Sequence, residues 1–318
     1  MKSVQQEVDE RTNLTGSNQF ELLLFRLGGD ANGDRSELFG INVFKVREIV
    51  AMPTLTGVAG AHPNLLGVVN LRGQIIPVID LPALVGCTPK TGLNIMLVTE
   101  FARSTQAFAV ESVEEIVRLD WKQVLSAEAS GVGGMITSIA RLESANEPTR
   151  LAQVLDVEQI LRQIMPSTTT DVDPATIGPK ILLKPGAVIL AADDSLIART
   201  LIEAGLEAMG APFIMTKTGK EAWERLQSIA SAAEAEGKTV QDKVALVLTD
   251  LEMPEMDGFT LTRNIKQNPR YAGIPVVIHS SLSGATNEDH VKSVGADAYV
   301  AKFVAEELAT TIRKVLTK

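Results

Sequence analysis

The stretch Val244-Ala-Leu-Val-Leu-Thr-Asp-Leu-Glu-Met-Pro-Glu-Met-Asp-Gly258 decides the fold of the half of the chain that contains it. Val244–Leu248 is a short, continuous apolar run, as expected of a strand buried on both faces of a sheet. The run stops at Thr249-Asp250, and Asp257-Gly258 reads as a turn that opens a helix. On either side lie further runs of the same kind, Ala187–Ala191, Phe213–Thr216, Val276–Ile278 and Ala298–Val300, separated by helical stretches. In the first of these helices Ile197, Leu201, Ala204 and Ala208 follow the helical period; in the last, Leu308, Ile312, Val315 and Leu316 do. Strands alternating with helices in this way predict an α/β, doubly wound (βα)5 domain with a parallel sheet. Ligands of such sheets sit beyond the carboxyl ends of the strands, where the strand order reverses.

Those strand ends carry a distinctive set of residues. The first strand runs into Asp193-Asp194-Ser195, the third into Asp250, the fourth ends in Ser280 and the fifth runs into Lys302. Asp193 and Asp194 taken alone are accounted for as helix caps. Caps do not account for Asp250, Ser280 and Lys302 standing at three further strand ends. Three carboxylates that close repel one another unless a cation neutralises them. Oxygen ligands of this kind suit Mg²⁺, and an ammonium with a small hydroxyl supplies donors for a transferred phosphoryl group.

Residues 186–318 resemble the receiver domain of two-component response regulators, the CheY-like fold. The resemblance rests on Ala192-Asp-Asp-Ser195, Thr249-Asp-Leu-Glu-Met-Pro-Glu-Met-Asp-Gly258, Pro275-Val-Val-Ile-His-Ser280 and Ala298-Tyr-Val-Ala-Lys302. It implies that Asp250 accepts a phosphoryl group from a kinase phosphohistidine. It implies also that Asp194, Asp250 and the backbone carbonyl of Glu252 bind Mg²⁺, with Asp193 assisting through water. Ser280 and Lys302 are then the phosphoryl contacts, and Tyr299 the side chain whose rotamer reports the switch. Two features depart from the family. Phe303 stands where proline usually follows the lysine. A cis bond before a non-proline residue costs about 3–4 kcal/mol, so a trans peptide is expected, with Lys302 set back from the phosphate. About a dozen extra residues around Ser231–Asp242 lengthen the second helix and its loop, and read as a solvated helix end.

The first half has another texture. Phe39, Ile41 and Val43 alternate with Gly40 and Asn42; Val69 and Leu71 precede Arg72-Gly73, after which Ile75, Pro77 and Ile79 resume the alternation. Gly73 supplies the positive φ of a tight hairpin. Asn94–Thr99 and Gln106–Val110 are further strands, and Asp156 with Gln159 opens a short helix bearing Ile160, Leu161 and Ile164. Many short strands with turns between them predict a mainly-β module. It holds no catalytic set and no phosphate-cradling glycine loop, so it is not a kinase. His62-Pro63 reads as a turn. Asp30-Ala-Asn-Gly-Asp34 starts like a calcium loop, but Arg35 stands where glycine is needed and Ile41 where a glutamate belongs.

This module resembles the CheW-like coupling domain of bacterial chemotaxis. The matching stretches are Phe20-Glu-Leu-Leu-Leu-Phe-Arg-Leu27, Phe39-Gly-Ile-Asn-Val-Phe-Lys-Val-Arg-Glu-Ile49, Pro63-Asn-Leu-Leu-Gly-Val-Val-Asn-Leu-Arg-Gly73 and Ile76-Pro-Val-Ile-Asp-Leu81. The resemblance implies two small β-barrels that bind the CheA histidine kinase and the tips of methyl-accepting chemoreceptors, with CheW-type proteins as further neighbours in the array. It gives Arg72 a bidentate pair with Glu48, and marks Val46, Arg72 and the strand edge near Val69 as contacts.

The expected organisation is a tail over residues 1–18, a coupling domain over 19–165, a linker over 166–185 rich in proline, and a receiver over 186–318. The implied function is a chemotaxis adaptor between receptors and CheA, regulated by phosphorylation of Asp250. A phosphate sink for CheA is the milder variant. A Mg²⁺-dependent phosphatase or phosphotransferase is a third reading, disfavoured because Glu252 replaces the second aspartate such enzymes carry. Composition narrows the field. A net charge of −9 and 4% aromatic residues do not suit a nucleic-acid binder. The longest apolar run is about six residues against the roughly 20 of a membrane span. With neither an apolar leader nor a second cysteine besides Cys87, a cytoplasmic protein is expected.

Overall fold

The computed structural model describes residues 19–29, 36–101, 104–127, 134–144, 147–164, 176–280, 293–302 and 304–317. The calcium-like stretch 30–35, the whole of the expected tail, the first part of the expected linker and Phe303 lie outside them. The chain forms two compact units, Met1–Ser167 and Thr168–Lys318.

The first unit comprises β1 (Phe20–Gly29), β2 (Ser36–Asn42), β3 (Val46–Ala51), β4 (Leu65–Leu71), β5 (Gln74–Asp80), α1 (Leu81–Val85), β6 (Ile95–Phe101) and β7 (Ser104–Val110). These are followed by β8 (Ser112–Leu119), β9 (Val124–Ser126), β10 (Ile136–Ser144), β11 (Glu147–Leu155) and α2 (Val157–Ile164). They form two sheets, ordered β8-β1-β2-β11-β10-β9 and β3-β6-β7-β5-β4. Each sheet has a core made by strand alternation. Leu22, Leu24, Ala140 and Ala152 close one; Ile76, Val78, Met96, Val98, Ala107 and Ala109 close the other. Leu71 pairs with Gln74 across a two-residue turn in which Arg72 has φ 52° and Gly73 φ 88°. Both central residues of the turn therefore take positive φ, which matches the twist of the hairpin. Asp156 Oδ1 accepts the Gln159 N–H at 2.9 Å and caps α2, whose Ile160, Leu161 and Ile164 are buried.

The second unit comprises β12 (Val188–Ala192), α3 (Leu196–Ala208), β13 (Phe213–Thr216), α4 (Gly219–Ala235), β14 (Val244–Thr249), α5 (Gly258–Gln267), β15 (Val276–Ser280), β16 (Ala298–Ala301) and α6 (Ala305–Leu316). Every pairing in its sheet, ordered β13-β12-β14-β15-β16, is parallel. Alternate residues of one strand enter opposite cores: Leu246 and Leu248 pack toward α3 and α6, Val247 toward α4 and α5. That two-sided burial is why β14 reads as an unbroken apolar run. The strand order reverses between β12 and β14, the strands that lead into Asp193 and Asp250.

Three local expectations are corrected here. The buried stripe of α3 and its C-cap is Ala198, Ile202, Leu206 and Met209, and not the predicted Ile197, Leu201, Ala204 and Ala208, which are half-buried. Both rows are apolar because α3 packs against the sheet and also against α6, which lies beside it, so the period alone left the phase open. The long end of α4 is not simply solvated, since Ala230, Ala233 and, beyond it, Val240 are buried in the core. The last part of the expected linker is packed against the receiver. Ile177 is buried beside Ile312 and Leu308, the Ile181 N–H reaches the Met209 carbonyl at 2.9 Å, and Arg313 donates to the carbonyls of Ile177 and Pro179.

Candidate functional site

Parallel register is what assembles the site. Ala192 pairs with Thr249, so the next residue of each chain segment, Asp193 and Asp250, emerges side by side at the reversal point. The Asp250 N–H is held by the Ala192 carbonyl at 2.9 Å and the Asp193 N–H by the Thr216 carbonyl at 3.2 Å. Carboxylate oxygens of Asp193, Asp194 and Asp250 all lie within 4.8 Å of one another. Asp193 and Asp250 are buried, whereas Asp194 is half-buried and opens the cluster to solvent.

Lys302, itself 1% exposed, enters this cluster from the end of β16. Its Nζ stands 2.9 Å from Asp193 Oδ2 and 2.9 Å from Asp250 Oδ2. The expected retreat of the lysine is therefore not seen: the side chain reaches Asp250 directly. Register again explains it, because Ser280 pairs with Ala301 and the Ser280 carbonyl holds the Lys302 N–H at 2.9 Å. Ser280 is buried at the end of β15, and Tyr299 is half-buried on β16 opposite Ile278. Glu252, half-buried, lies two residues past Asp250 on the loop that leads to α5. The Leu251 N–H donates to Asp250 Oδ1 at 2.7 Å, which fixes the carboxylate plane.

Three carboxylates against one ammonium leave two surplus negative charges in a buried rim. An all-oxygen donor set with that surplus and one solvent-facing carboxylate fits a hard divalent cation such as Mg²⁺. Such an ion supplies charge neutralisation and a template for phosphoryl oxygens.

Two glycines brace the site: Gly258, read from the sequence only as part of a turn, and Gly219, to which the sequence reading gave no role. A Cβ on Gly258 would stand 2.0 Å from the Asp250 carbonyl oxygen, and one on Gly219 would stand 2.2 Å from that of Met256. The run Asp257-Gly258 is thus more than a turn before a helix, although Asp257 does cap α5 through Thr260 N–H at 2.6 Å. Burial pushes the Asp257 carboxyl above its ordinary pKa.

In the first unit, Arg72 Nη2 pairs with Glu48 Oε2 at 2.8 Å, a single contact and not the expected bidentate one. Glu48 is buried and Arg72 is 75% exposed at the side chain. Val69 lies on β4, an edge strand, as expected, but its side chain and that of Val46 are buried. The side chains this hairpin offers to solvent include those of Arg72 and of Ile75, which is 61% exposed, together with Asn70 and Gln74.

A β module of two sheets followed by an aspartate-rimmed receiver defines a signalling adaptor that carries its own phosphorylation module. The CheW-like domain model matches residues 21–165, and the response regulator receiver domain model matches residues 189–313. Among curated proteins, chemotaxis protein CheV3 of Helicobacter pylori is 32% identical over 309 residues, covering 95% of this chain and 96% of its own. CheV2 and CheV1 of the same organism are 29% and 28% identical over 327 and 330 residues, each covering at least 97% of both chains. The chain belongs to the CheV family of chemotaxis proteins. It is a chemotaxis adaptor with a phosphorylatable receiver, and its two constituent families are generally non-enzymatic. Among the described residues no helix is long and apolar enough to cross a membrane.

Proposed function

We propose that Asp250 takes a phosphoryl group from a phosphohistidine of CheA and that this modification tunes how the coupling module engages chemoreceptors and the kinase. The observation that carries the reading is the convergence of Asp193, Asp194 and Asp250 with Lys302 at the reversal point of the sheet. An Asp250 carboxylate oxygen attacks phosphorus, the P–N bond of the phosphohistidine breaks, and the electron pair leaves with the imidazole. Asp193, Asp194, Asp250 and the Glu252 carbonyl are the residues that would hold Mg²⁺. Lys302 moves from an ion pair with Asp250 to one with the phosphoryl oxygens, Ser280 donates to them, and Tyr299 follows Ser280. The product adds about −1.5 to −2 charges at the rim.

The organisation that goes with this reading is a tail over residues 1–18, a coupling domain over 19–165, a linker over 166–185 whose last part packs against the receiver, and a receiver over 186–318. The exposed Arg72 hairpin, braced by Glu48, presents the coupling surface on the edge strand near Val69, with Val46 and Val69 supporting it from within. The working place of the adaptor is the cytoplasmic receptor array.

Incubation of the purified chain with phosphorylated CheA and Mg²⁺, followed by mapping of the label, tests the reading. Label on Asp250 that is abolished in Asp250→Asn is expected; label elsewhere, or none, overturns it. Receptor-array signalling that is unchanged in Asp250→Ala cells would leave a phosphate sink and remove the regulatory role.

A further inference from the structure

Arg199 is a buried charge that the phosphoryl chemistry above does not use. It lies in the first turn and a half of α3, where its own N–H closes on the Ser195 carbonyl at 2.9 Å. Its side chain turns back under the acidic rim. Nη1 donates to the Asp193 carbonyl at 3.0 Å and to the Asp194 carbonyl at 2.7 Å, and the residue is 6% exposed.

Nothing in helix physics favours this placement. The N-terminal turn of a helix repels cations, and a guanidinium stays charged when buried. The contact itself is what the arginine supplies. One planar group grips the carbonyls of two successive residues, and those residues carry two of the three carboxylates of the rim. Fixing the peptide units on either side of Asp194 fixes the direction in which its Cβ leaves the backbone. Asp193 has other restraints, through the Ser195 N–H on its Oδ1 at 3.0 Å and through Lys302. Asp194, half-buried and at the open side of the cluster, has its backbone held through its carbonyl by Arg199.

We propose that Arg199 is a positioning residue for the cation site, orienting the Asp193-Asp194 turn so that the Asp194 carboxylate faces Asp250. The inference rests on the reading of the rim as a Mg²⁺ site. Two effects of the side chain oppose each other there. Holding the turn strengthens cation binding, while a positive charge beneath the rim weakens it. Two hydrogen bonds to successive carbonyls fix the turn that carries both aspartates, and the geometric effect prevails.

That balance gives the test a sign. Titration calorimetry of the full chain with Mg²⁺ would compare wild type, Arg199→Met and Arg199→Lys. Loss of an orienting partner outside the ligand set typically lowers metal affinity 10–100-fold. Arg199→Met is expected to bind Mg²⁺ at least tenfold more weakly, and Arg199→Lys, which keeps the charge without the guanidinium, to bind with intermediate affinity. Labelling by a small acyl phosphate should return to within about twofold of wild type at saturating Mg²⁺, since the acceptor itself is untouched. Tighter or unchanged binding in Arg199→Met overturns the proposal, as does labelling that Mg²⁺ fails to restore. If Arg199→Met does not fold, Arg199→Lys decides alone, with unchanged binding counting against the inference. Wild type that takes up no Mg²⁺ would instead sink the site reading on which this one rests.

Discussion

Gly258 lies against the backbone of Asp250 so closely that a Cβ at residue 258 would stand 2.0 Å from the Asp250 carbonyl oxygen, while the Gly258 N–H bonds the Leu251 carbonyl at 2.9 Å. The first residue of α5 and the residue that ends up at the rim are thus in direct contact. Glycine in a helix is worth about 1 kcal/mol less than alanine. Gly258→Ala would therefore stabilise the receiver if the space were open. The contact is with backbone, which cannot swing aside, so the expected outcome is a loss of about 1–3 kcal/mol with reduced labelling of Asp250. Urea denaturation followed by Trp223 fluorescence in a Trp121→Phe background reads the first effect, and acyl-phosphate labelling the second. A stabilised, fully labelled variant would contradict the geometry.

Lys302 pairs with both Asp193 and Asp250. Lys302→Met leaves those two buried carboxylates facing each other. Removing one partner of a buried ion pair costs roughly 3–5 kcal/mol. The loss should be largest in chelator-treated protein and smaller when Mg²⁺ occupies the rim, because a ligand of the native state stabilises it. Equal destabilisation with and without Mg²⁺ would argue against a cation site.

His279 is buried next to Ser280, and its Nδ1 has no hydrogen-bond partner among the described residues. Burial, and secondarily the charge of Lys302, push its pKa from 6.5 down to about 3. Above pH 6.5 both folded and unfolded chains hold it neutral, so it has no effect there. Between pH 6.5 and about 3 the unfolded chain binds a proton that the native chain refuses, and stability falls on acidification by roughly 1 kcal/mol per pH unit. His279→Leu should flatten the acid limb of a stability–pH curve measured between pH 6.5 and 4.5; an unaltered slope would refute the assignment.

Arg313 holds the strap that precedes β12, donating to the Pro179 carbonyl at 2.7 Å and to the Ile177 carbonyl. Arg313→Ala removes donors from two partly covered carbonyls, at a cost of about 1 kcal/mol. Local opening should rise about fivefold, read as faster hydrogen exchange of the Ile181 amide, with the core strands unaffected. Exchange that is unchanged at Ile181 would mean the apolar packing of Ile177 suffices.

The chemistry of this protein was legible in its amino-acid order because each reactive residue sits at the end of a recognisable apolar run. Val244–Leu248 announces a doubly covered strand, and the acidic residue after it announces the rim. The turn at Arg72-Gly73 was equally open to reading, since a two-residue hairpin demands positive φ. What could not be read were relations between segments far apart in the chain. The Ala192–Thr249 register set Asp193 beside Asp250, and the Ser280–Ala301 register carried Lys302 into contact with both. The phase of α3 was hidden because both of its neighbouring rows are apolar. Gly258 resembled an ordinary turn residue until the Asp250 carbonyl was found against it. Arg199 gave no signal, because one-dimensional patterns carry no sign of which carbonyls a side chain will meet. Residue types and their periodicity determine strands, turns and the kinds of chemistry present. Distances between groups, and so the balance of charge in the rim, depend on how parallel strands align, and only the folded sheet decides that.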